Sequence, residues 1–240
     1  MRLLSLLLLF CASLPADEAP PLQDWIQEAL KAGGGVVTVP DGVHTLAEPL
    51  VIENAKKLSL RGMSREGCVL RLARPGPAVL EIRGNCETVE VAGLTLQGGG
   101  IRVTGGKDIQ VRDSLLENSG GPGVEFLGTA NSGVHRCSFR DGSGTALRVA
   151  SAAQQIELRG NQIARCSVGI ELDQAMACVV IGNEIREGST AVRVMAGKTA
   201  PKHRLIDNGF YAIQGEPLWL QPATTELEQS GNAILPATGS

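Results

Sequence analysis

A triplet of one apolar, one charged and one apolar residue recurs along the chain at a nearly constant spacing. The six copies are Leu80-Glu81-Ile82, Ile101-Arg102-Val103, Val124-Glu125-Phe126, Leu147-Arg148-Val149, Ile170-Glu171-Leu172 and Val192-Arg193-Val194. The steps between their first residues are 21, 23, 23, 23 and 22. A fixed period of this length is typical of solenoids, in which each repeat forms one turn of a coil. We therefore expect the chain to stack on itself, coil upon coil.

Two further strands are predicted within each period. One passes through Val91, Val111, Val134, Leu158, Val180 and Leu205, and the other through Leu96, Leu116, Phe139, Ile163, Ile185 and Phe210. Because successive side chains along a strand point to opposite faces, stacked coils would line the interior with columns of like apolar residues. The sequence predicts an all-β parallel β-helix of six to seven coils, with three strands in each coil of 22 to 23 residues.

A single position between the second and third strands is expected to form a polar ladder. It is occupied by Leu94, Ser114, Cys137, Asn161, Asn183 and Asn208. Asparagine tolerates the left-handed backbone of a tight bend, and its amide can hydrogen-bond to a neighbour one strand away. The three asparagines are therefore predicted to stack on one another.

Both ends of the stack are predicted to be covered. An amphipathic helix is expected at residues 22–32, because Leu22, Trp25, Ile26, Ala29 and Leu30 fall on one helical face and Gly33 follows as a stop. At the other end, we expect Trp219 and the tail containing Pro217, Pro222 and Pro236 to close the stack.

The first sixteen residues read as a cleaved signal peptide. Arg2 supplies the positive start, Leu3 to Phe10 form a short apolar run, and Ala16 is a small residue at the cleavage point. Cys11 suggests a lipoprotein as the alternative. The bulky Phe10 argues against it, because a lipid-modified cysteine usually follows a small residue. No later stretch is apolar enough to span a membrane. We expect residues 17–240 to form one domain that is secreted or periplasmic.

Charge content argues against one class of partner, and cysteine content bears on the core. The 22 basic and 25 acidic residues give a net charge of -3, so no basic surface for nucleic acid is predicted. Five cysteines remain after removal of residues 1–16, and we expect them to be small buried hydrophobes, with a single disulfide as the alternative. A monomer is expected, with polysaccharide as a candidate partner.

The chain resembles a known superfamily. The predicted helix followed by Gly34-Gly35-Val36-Val37-Thr38-Val39-Pro40-Asp41-Gly42 is similar to the opening of pectate-lyase-like proteins. The coils, such as Gly169-Ile170-Glu171-Leu172 and Ile181-Gly182-Asn183-Glu184-Ile185, look like the parallel β-helix repeat. The resemblance implies a right-handed parallel β-helix over nearly the whole mature chain. It implies no single chemistry, because the superfamily includes polysaccharide lyases, glycoside hydrolases, epimerases and members with no assigned reaction.

The charged residues of the triplets are predicted to form one outward column with alternating signs. Its members are Glu81, Arg102, Glu125, Arg148, Glu171 and Arg193. With strands about 4.8 Å apart, each charge would lie beside opposite charges in the coils above and below. The first interpretation is a salt-bridge ladder that fixes the register of the coils, in which each exposed pair adds a few tenths of a kcal/mol.

The family resemblance supplies a second interpretation of the same column. It implies that this face holds substrate, with Arg148 as the group that abstracts a proton. Glu125 and Glu171 would then place calcium or substrate, Arg102 and Arg193 would bind substrate, and Tyr211 would stack on a sugar. Against this, two flanking carboxylates stabilise the charged form of Arg148, which is the wrong direction for a base.

Hydrolysis and metal chemistry find less support in the sequence. Glu125 and Glu171 would be about 9.6 Å apart with Arg148 between them, which is a poor geometry for an acid and base pair. The three histidines are scattered, so no metal site is predicted. We expect a polysaccharide- or surface-associated binding or structural module without an evident catalytic centre or cofactor. The alternative is a calcium-assisted lyase acting on uronic-acid polymers.

Overall fold

The computed structural model of the chain describes residues 21–74, 76–195, 202–222 and 227–236. The predicted signal peptide at residues 1–16, including Cys11, lies outside the described residues. One helix, α1 (Leu22–Lys31), precedes all the strands. This helix is too short to cross a membrane, and no other helix among the described residues could do so.

The strands form three parallel sheets that run the length of the molecule. Sheet A contains β1 (Gly35–Val39), β4 (Lys56–Gly62), β7 (Glu87–Ala92), β10 (Lys107–Arg112), β13 (Gly133–His135), β16 (Glu157–Arg159), β19 (Val179–Ile181), β22 (His203–Ile206) and β25 (Leu227–Ser230). Sheet B contains β2 (Gly42–Leu46), β5 (Cys68–Leu72), β8 (Thr95–Gln97), β11 (Leu115–Glu117), β14 (Ser138–Arg140), β17 (Gln162–Ala164), β20 (Glu184–Arg186), β23 (Gly209–Tyr211) and β26 (Ala233–Leu235). Sheet C contains β3 (Leu50–Glu53), β6 (Ala78–Arg83), β9 (Gly100–Thr104), β12 (Val124–Leu127), β15 (Thr145–Ala150), β18 (Val168–Asp173), β21 (Thr190–Met195) and β24 (Leu218–Gln221).

Each strand pairs with the strand three positions further along the chain, so every coil contributes one strand to each sheet. The predicted parallel β-helix is therefore confirmed. The number of coils is larger than the predicted six to seven, because sheet C has eight strands and sheets A and B have nine. Two further triplets, Leu50-Val51-Ile52 and Leu218-Trp219-Leu220, continue the series in register but after steps of 30 and 26 residues. Their longer connections depart from the constant period of the other triplets.

The interior is lined by apolar columns, as predicted. In sheet C, one such column is buried from the first coil to the penultimate one: Ile52, Ile82, Val103, Phe126, Val149, Leu172 and Val194. Each fully buried side chain of this kind contributes about 1.5 to 3 kcal/mol before the entropy of ordering is subtracted. The columns form one continuous core along the helix.

The bends between strands depend on residues with a left-handed backbone. At the bend from sheet A to sheet B this conformation is adopted by Gly93, Asp113, Arg136, Gly160, Gly182, Asp207 and Gly231. These residues directly precede the ladder position. The expectation that Asn161, Asn183 and Asn208 themselves adopt the left-handed backbone was wrong, because the preceding residue makes the turn and leaves the asparagine to hydrogen-bond.

The asparagine ladder itself is confirmed and is one rung longer than predicted. Asn161 Nδ2 donates to Asn183 Oδ1, Asn183 Nδ2 to Asn208 Oδ1, and Asn208 Nδ2 to Asn232 Oδ1, each at 2.9 Å. The same oxygens accept the backbone N–H of the preceding rung at 3.0 Å. Asn161, Asn183 and Asn208 are buried. The ladder therefore satisfies the backbone of a bend that water does not reach.

The two ends of the stack differ from each other. Leu22 and Ile26 of α1 are buried, with Trp25, Ala29 and Leu30 packed beside them, so the predicted cap is confirmed. Trp219 does not close the opposite end. It lies in β24 opposite Arg193, which places it on the outer face of sheet C.

The five cysteines beyond residue 16 are buried and free, which confirms their predicted role as small hydrophobes. The alternative of a disulfide among them is contradicted. Burial raises the pKa of the Cys137 and Cys178 thiols to about 12. Thiolate chemistry at neutral pH is therefore disfavoured at both positions.

The stability of the fold should decrease in acid, because carboxylates on sheet A and at two bends form ion pairs with arginines. Burial tends to raise the pKa of Glu90, but hydrogen bonds from Arg112, Arg61 and Ser59 lower it to about 2. Because the pKa of Glu90 is lower in the folded state, its charged form stabilises the fold at pH values above the unfolded-state pKa of 4.5. This contribution is lost as the pH falls towards 2. Arg136 and Arg165 likewise lower the pKa of Asp113 and Asp141.

Urea unfolding between pH 7 and pH 2 measures this effect. We expect the free energy of unfolding to decline below about pH 5, and to decline less steeply in the Glu90→Gln variant. Identical pH profiles for the two proteins would show that ionised Glu90 does not contribute to the free energy of unfolding.

Candidate functional site

The predicted column of alternating charges exists on the outer face of sheet C. Glu81, Arg102, Glu125, Arg148, Glu171 and Arg193 lie directly opposite one another in successive strands from β6 to β21. They share this face because each is the middle residue of a triplet whose flanking residues point into the core. We call these six residues the sheet C column.

Each of two glutamates in the column is shared by two arginines. Glu125 accepts from Arg102 Nε at 2.8 Å and from Arg148 Nη1 at 2.7 Å. Glu171 accepts from Arg148 Nε at 2.9 Å and from Arg193 Nη1 at 3.2 Å. The predicted ladder therefore forms without a break from Arg102 to Arg193.

The first charge of the column is paired differently from the prediction. Glu81 makes its ion pair with Arg83 of its own strand, at 3.7 Å. Arg83 also contacts Glu53 in the preceding coil, at 3.3 Å. The alternating network thus begins at Arg102, because Arg83 offers Glu81 a cation on the same strand.

The ladder is not the exposed feature that the sequence suggested. Only 4% of Glu125 and 7% of Glu171 is accessible, whereas the side chains of Arg102, Arg148 and Arg193 are about one third exposed. Long arginine side chains can cover their shorter neighbours while keeping the charged group in water. A molecule approaching this face therefore meets three guanidinium groups, with the carboxylates beneath them.

Arg148 is held more firmly than the other two arginines. Besides its bonds to Glu125 and Glu171, its Nη2 donates to Asp173 at 3.2 Å. Burial alone would lower the pKa of Arg148, but the hydrogen bonds to Glu125 and Glu171 outweigh it and raise the pKa above its usual value. A guanidinium in this setting keeps its proton and is a poor general base.

The three carboxylates around Arg148 are occupied by that arginine. Across the ranges given above, no three His, Cys, Asp or Glu side chains are grouped closely enough to hold a metal ion. The histidines are each engaged elsewhere: His44 with the Pro40 carbonyl oxygen at 2.8 Å, His135 with Gln110 at 2.9 Å, and His203 with the Cys178 backbone N–H at 3.2 Å. The cation in the middle of this face is the guanidinium of Arg148.

Trp219 extends the sheet C column, although the sequence did not predict it at this position. It lies directly opposite Arg193 in β24, and the Arg193 guanidinium stands 5.5 Å from the centre of its ring. The Leu218-Trp219-Leu220 triplet carries the necessary signal, because its two leucines alternate with the tryptophan as in the other triplets. The exposed row therefore ends in an aromatic ring.

Tyr211 does not join this face. It lies in β23 of sheet B, where the Arg186 guanidinium stands 5.3 Å from its ring centre. The structure thus brings together five of the six predicted site residues, namely Arg102, Glu125, Arg148, Glu171 and Arg193. Tyr211 remains on a different sheet.

The sequence matches a known family over most of its length. The family model described as "Right handed beta helix region" matches residues 79–233. A comparison with curated proteins finds no match.

Solved structures with the same fold are numerous and distant in sequence. An alginate lyase from Paenibacillus sp. str. FPU-7 aligns at a TM-score of 0.67 and 13% identity, covering 90% of this chain and 94% of the lyase. An exopolygalacturonase from Thermotoga maritima aligns at 0.59 and 13% identity, covering 92% and 77%. PfbA, a surface adhesin of Streptococcus pneumoniae, aligns at 0.58 and 11% identity, covering 88% and 74%. At such identities these likenesses establish the shared fold only.

Proposed function

Because this chain belongs to the right-handed β-helix family, we propose that it is an exported module that binds a polysaccharide along the outer face of sheet C without cleaving it. The observation that carries the proposal is the row formed by Arg102, Arg148, Arg193 and Trp219. Three partly exposed guanidinium groups and an aromatic ring stand in one line above buried carboxylates. Export rests on the leader-like composition of residues 1–16.

The spacing of the row suits an extended sugar chain. Arg102, Arg148 and Arg193 lie on alternate strands, about 9.6 Å apart at the usual strand spacing. A pyranose ring in a polymer is about as long as one strand spacing, so alternate sugars along the helix axis would each face a guanidinium. Arginine donates paired hydrogen bonds to carboxylates, which favours an acidic sugar at those positions.

Trp219 would complete such a site at its C-terminal end. An aromatic ring offers a flat apolar surface to the face of a sugar, and the neighbouring Arg193 can donate to the sugar's oxygens. The alginate lyase and the exopolygalacturonase named above show that this fold can act on polysaccharides. The adhesin supports a role that needs no catalysis.

A calcium-assisted lyase is the alternative function. It requires Arg148 to take a proton from the sugar while calcium neutralises the carboxylates beside it. In this chain Glu125, Glu171 and Asp173 all accept hydrogen bonds from Arg148, which keeps the arginine protonated. Binding without cleavage therefore fits the contacts of the column better.

A titration with a panel of uronic-acid and neutral oligosaccharides tests the proposal. We expect calorimetry to detect binding of the acidic oligomers, weakening as salt is added. Arg102→Gln, Arg193→Gln and Trp219→Ala should each weaken binding by about tenfold, equivalent to about 1.4 kcal/mol. The matched control is Arg159→Gln, which removes an exposed arginine of sheet A that is paired with Glu157.

The same mixtures report on cleavage, because lyase products absorb in the ultraviolet. We expect no rise in absorbance, with or without calcium. A rise that depends on Arg148 would establish the alternative. Equal loss of binding in the Arg159→Gln control would instead show that the ligand does not use the sheet C face.

A further inference from the structure

The C-terminal end of the solenoid leaves a core position open. In sheet B one inward column runs through Leu70, Leu96, Leu116, Phe139, Ile163, Ile185, Phe210 and Ile234, all directly opposite one another. The first seven are buried, whereas Ile234 is 60% exposed. Ile234 thus occupies a core position with no coil stacked upon it within the described part of the chain. The adjacent Leu235 is 51% exposed.

The backbone at this end is open as well. β24, β25 and β26 are each the last strand of their sheet, with a neighbour on one side only among the described strands. The free edge of β26 consists of Ala233, Ile234 and Leu235 and carries no charge. Edge strands of monomeric proteins are usually protected by charges, irregularities or a covering element. β26 has neither a charged side chain nor a covering helix in the structure described.

The opposite end differs, because a helix covers its core. There α1 packs over the core through Leu22 and Ile26, and it presents Asp24, Glu28 and Lys31 to solvent. Stacking of copies head to tail would set the apolar edge of β26 against this charged helix, which is unfavourable. Two open C-terminal ends can still meet, because a twofold axis perpendicular to the solenoid brings like ends together.

We propose that the C-terminal end is the interface of a homodimer in which β26 pairs antiparallel with the same strand of a second copy. A twofold axis through β26 reverses that strand in the partner, so the two edges meet as an antiparallel pair. Ile234 then packs against the partner's Ile234, and the two cores become continuous. This assembly replaces the monomer expected from the sequence.

The charges at this end disfavour an axis through β25. With β26 on the axis, β25 faces β24 of the partner. β25 carries Glu228, whereas β24 reads Leu218-Trp219-Leu220-Gln221 and has no charged residue. An axis through β25 would instead bring the two Glu228 carboxylates together, which is unfavourable. β26 pairing with itself gives an interface without like charges, and it covers Ile234, which is more exposed than Leu218 and Leu220 of β24.

Sedimentation equilibrium on residues 17–240 tests the proposal. We expect twice the mass of the chain, and a dimer weakened at least tenfold by Ile234→Lys, which places a positive charge on each side of the axis. Val43→Lys is the matched control, because Val43 lies in the first strand of the same sheet, at the capped end, and is 58% exposed. The control should sediment as the wild-type chain does.

Hydrogen exchange of the unmodified chain gives a second measurement that does not depend on the variant folding. The amides of β26 should become more protected as protein concentration rises. A wild-type chain that is monomeric at every concentration would overturn the proposal. So would protection of β26 that is independent of concentration, a native Ile234→Lys variant that remains fully dimeric, or assembly beyond the dimer.

Discussion

Replacement of Arg148 by methionine is expected to destabilise the chain by about 3 to 5 kcal/mol, a cost typical of removing one partner from a buried ion pair. Arg148 donates to Glu125 at 2.7 Å and to Glu171 at 2.9 Å, and both glutamates are nearly inaccessible. Without the guanidinium, two negative charges stay buried on one face of the sheet, each with a single remaining arginine. The difference between the urea unfolding free energies of wild type and variant measures this cost.

Arg165→Met is the matched control, because it removes an arginine bonded to a carboxylate at the surface. Arg165 donates to Asp141 at 2.6 and 3.1 Å, but both side chains are exposed, so a loss below about 1 kcal/mol is expected. Adding Glu125→Gln and Glu171→Gln to Arg148→Met should recover most of the lost stability. Equal effects of Arg148→Met and Arg165→Met would show that the column contributes no more than a surface pair.

Replacement of Asn183 by alanine should cost at least about 3 kcal/mol, because it strips partners from several buried polar groups. Asn183 Oδ1 accepts from the backbone N–H of Asn161 at 3.0 Å and from its Nδ2 at 2.9 Å. Asn183 Nδ2 donates to the Leu158 carbonyl at 2.8 Å. Each buried group left unsatisfied costs about 1 to 3 kcal/mol. Chemical denaturation followed by circular dichroism measures the loss.

Asn85→Ala provides the comparison, since Asn85 is an exposed asparagine at a bend rather than a rung of the ladder. Its replacement should change stability by no more than about 0.5 kcal/mol. A loss below about 1 kcal/mol for Asn183→Ala would mean that water replaces the ladder's bonds, in conflict with its burial.

Most of the fold follows from the sequence because one physical requirement repeats in every coil. Val103, Phe126 and Val149 must all face the same interior, so their spacing reveals both the strands and the stacking. The first and last coils lack this regularity. The spacings from Leu50 to Leu80 and from Val192 to Leu218 are longer than those between the other triplets. The sequence therefore did not predict the strands β3 and β24.

The site was less predictable than the fold. The order of Arg102, Glu125 and Arg148 along the column follows from alternation along the strands. The burial of Glu125 cannot be predicted in this way, because it depends on how the long arginine side chains lie across the shorter glutamate. The sequence also predicted the left-handed residue of these bends one position too late. Gly182 and Asn183 both tolerate that conformation, so residue type alone does not show which of them adopts it.

A crystal structure of the chain soaked with an acidic oligosaccharide tests the central claim most directly. We expect the intact sugar to lie along the sheet C column, with carboxylates on Arg102 and Arg193, a ring on Trp219, and Arg148 still bonded to Glu125 and Glu171. A cleaved product at Arg148, or a sugar bound to sheet A or sheet B instead, would contradict this account.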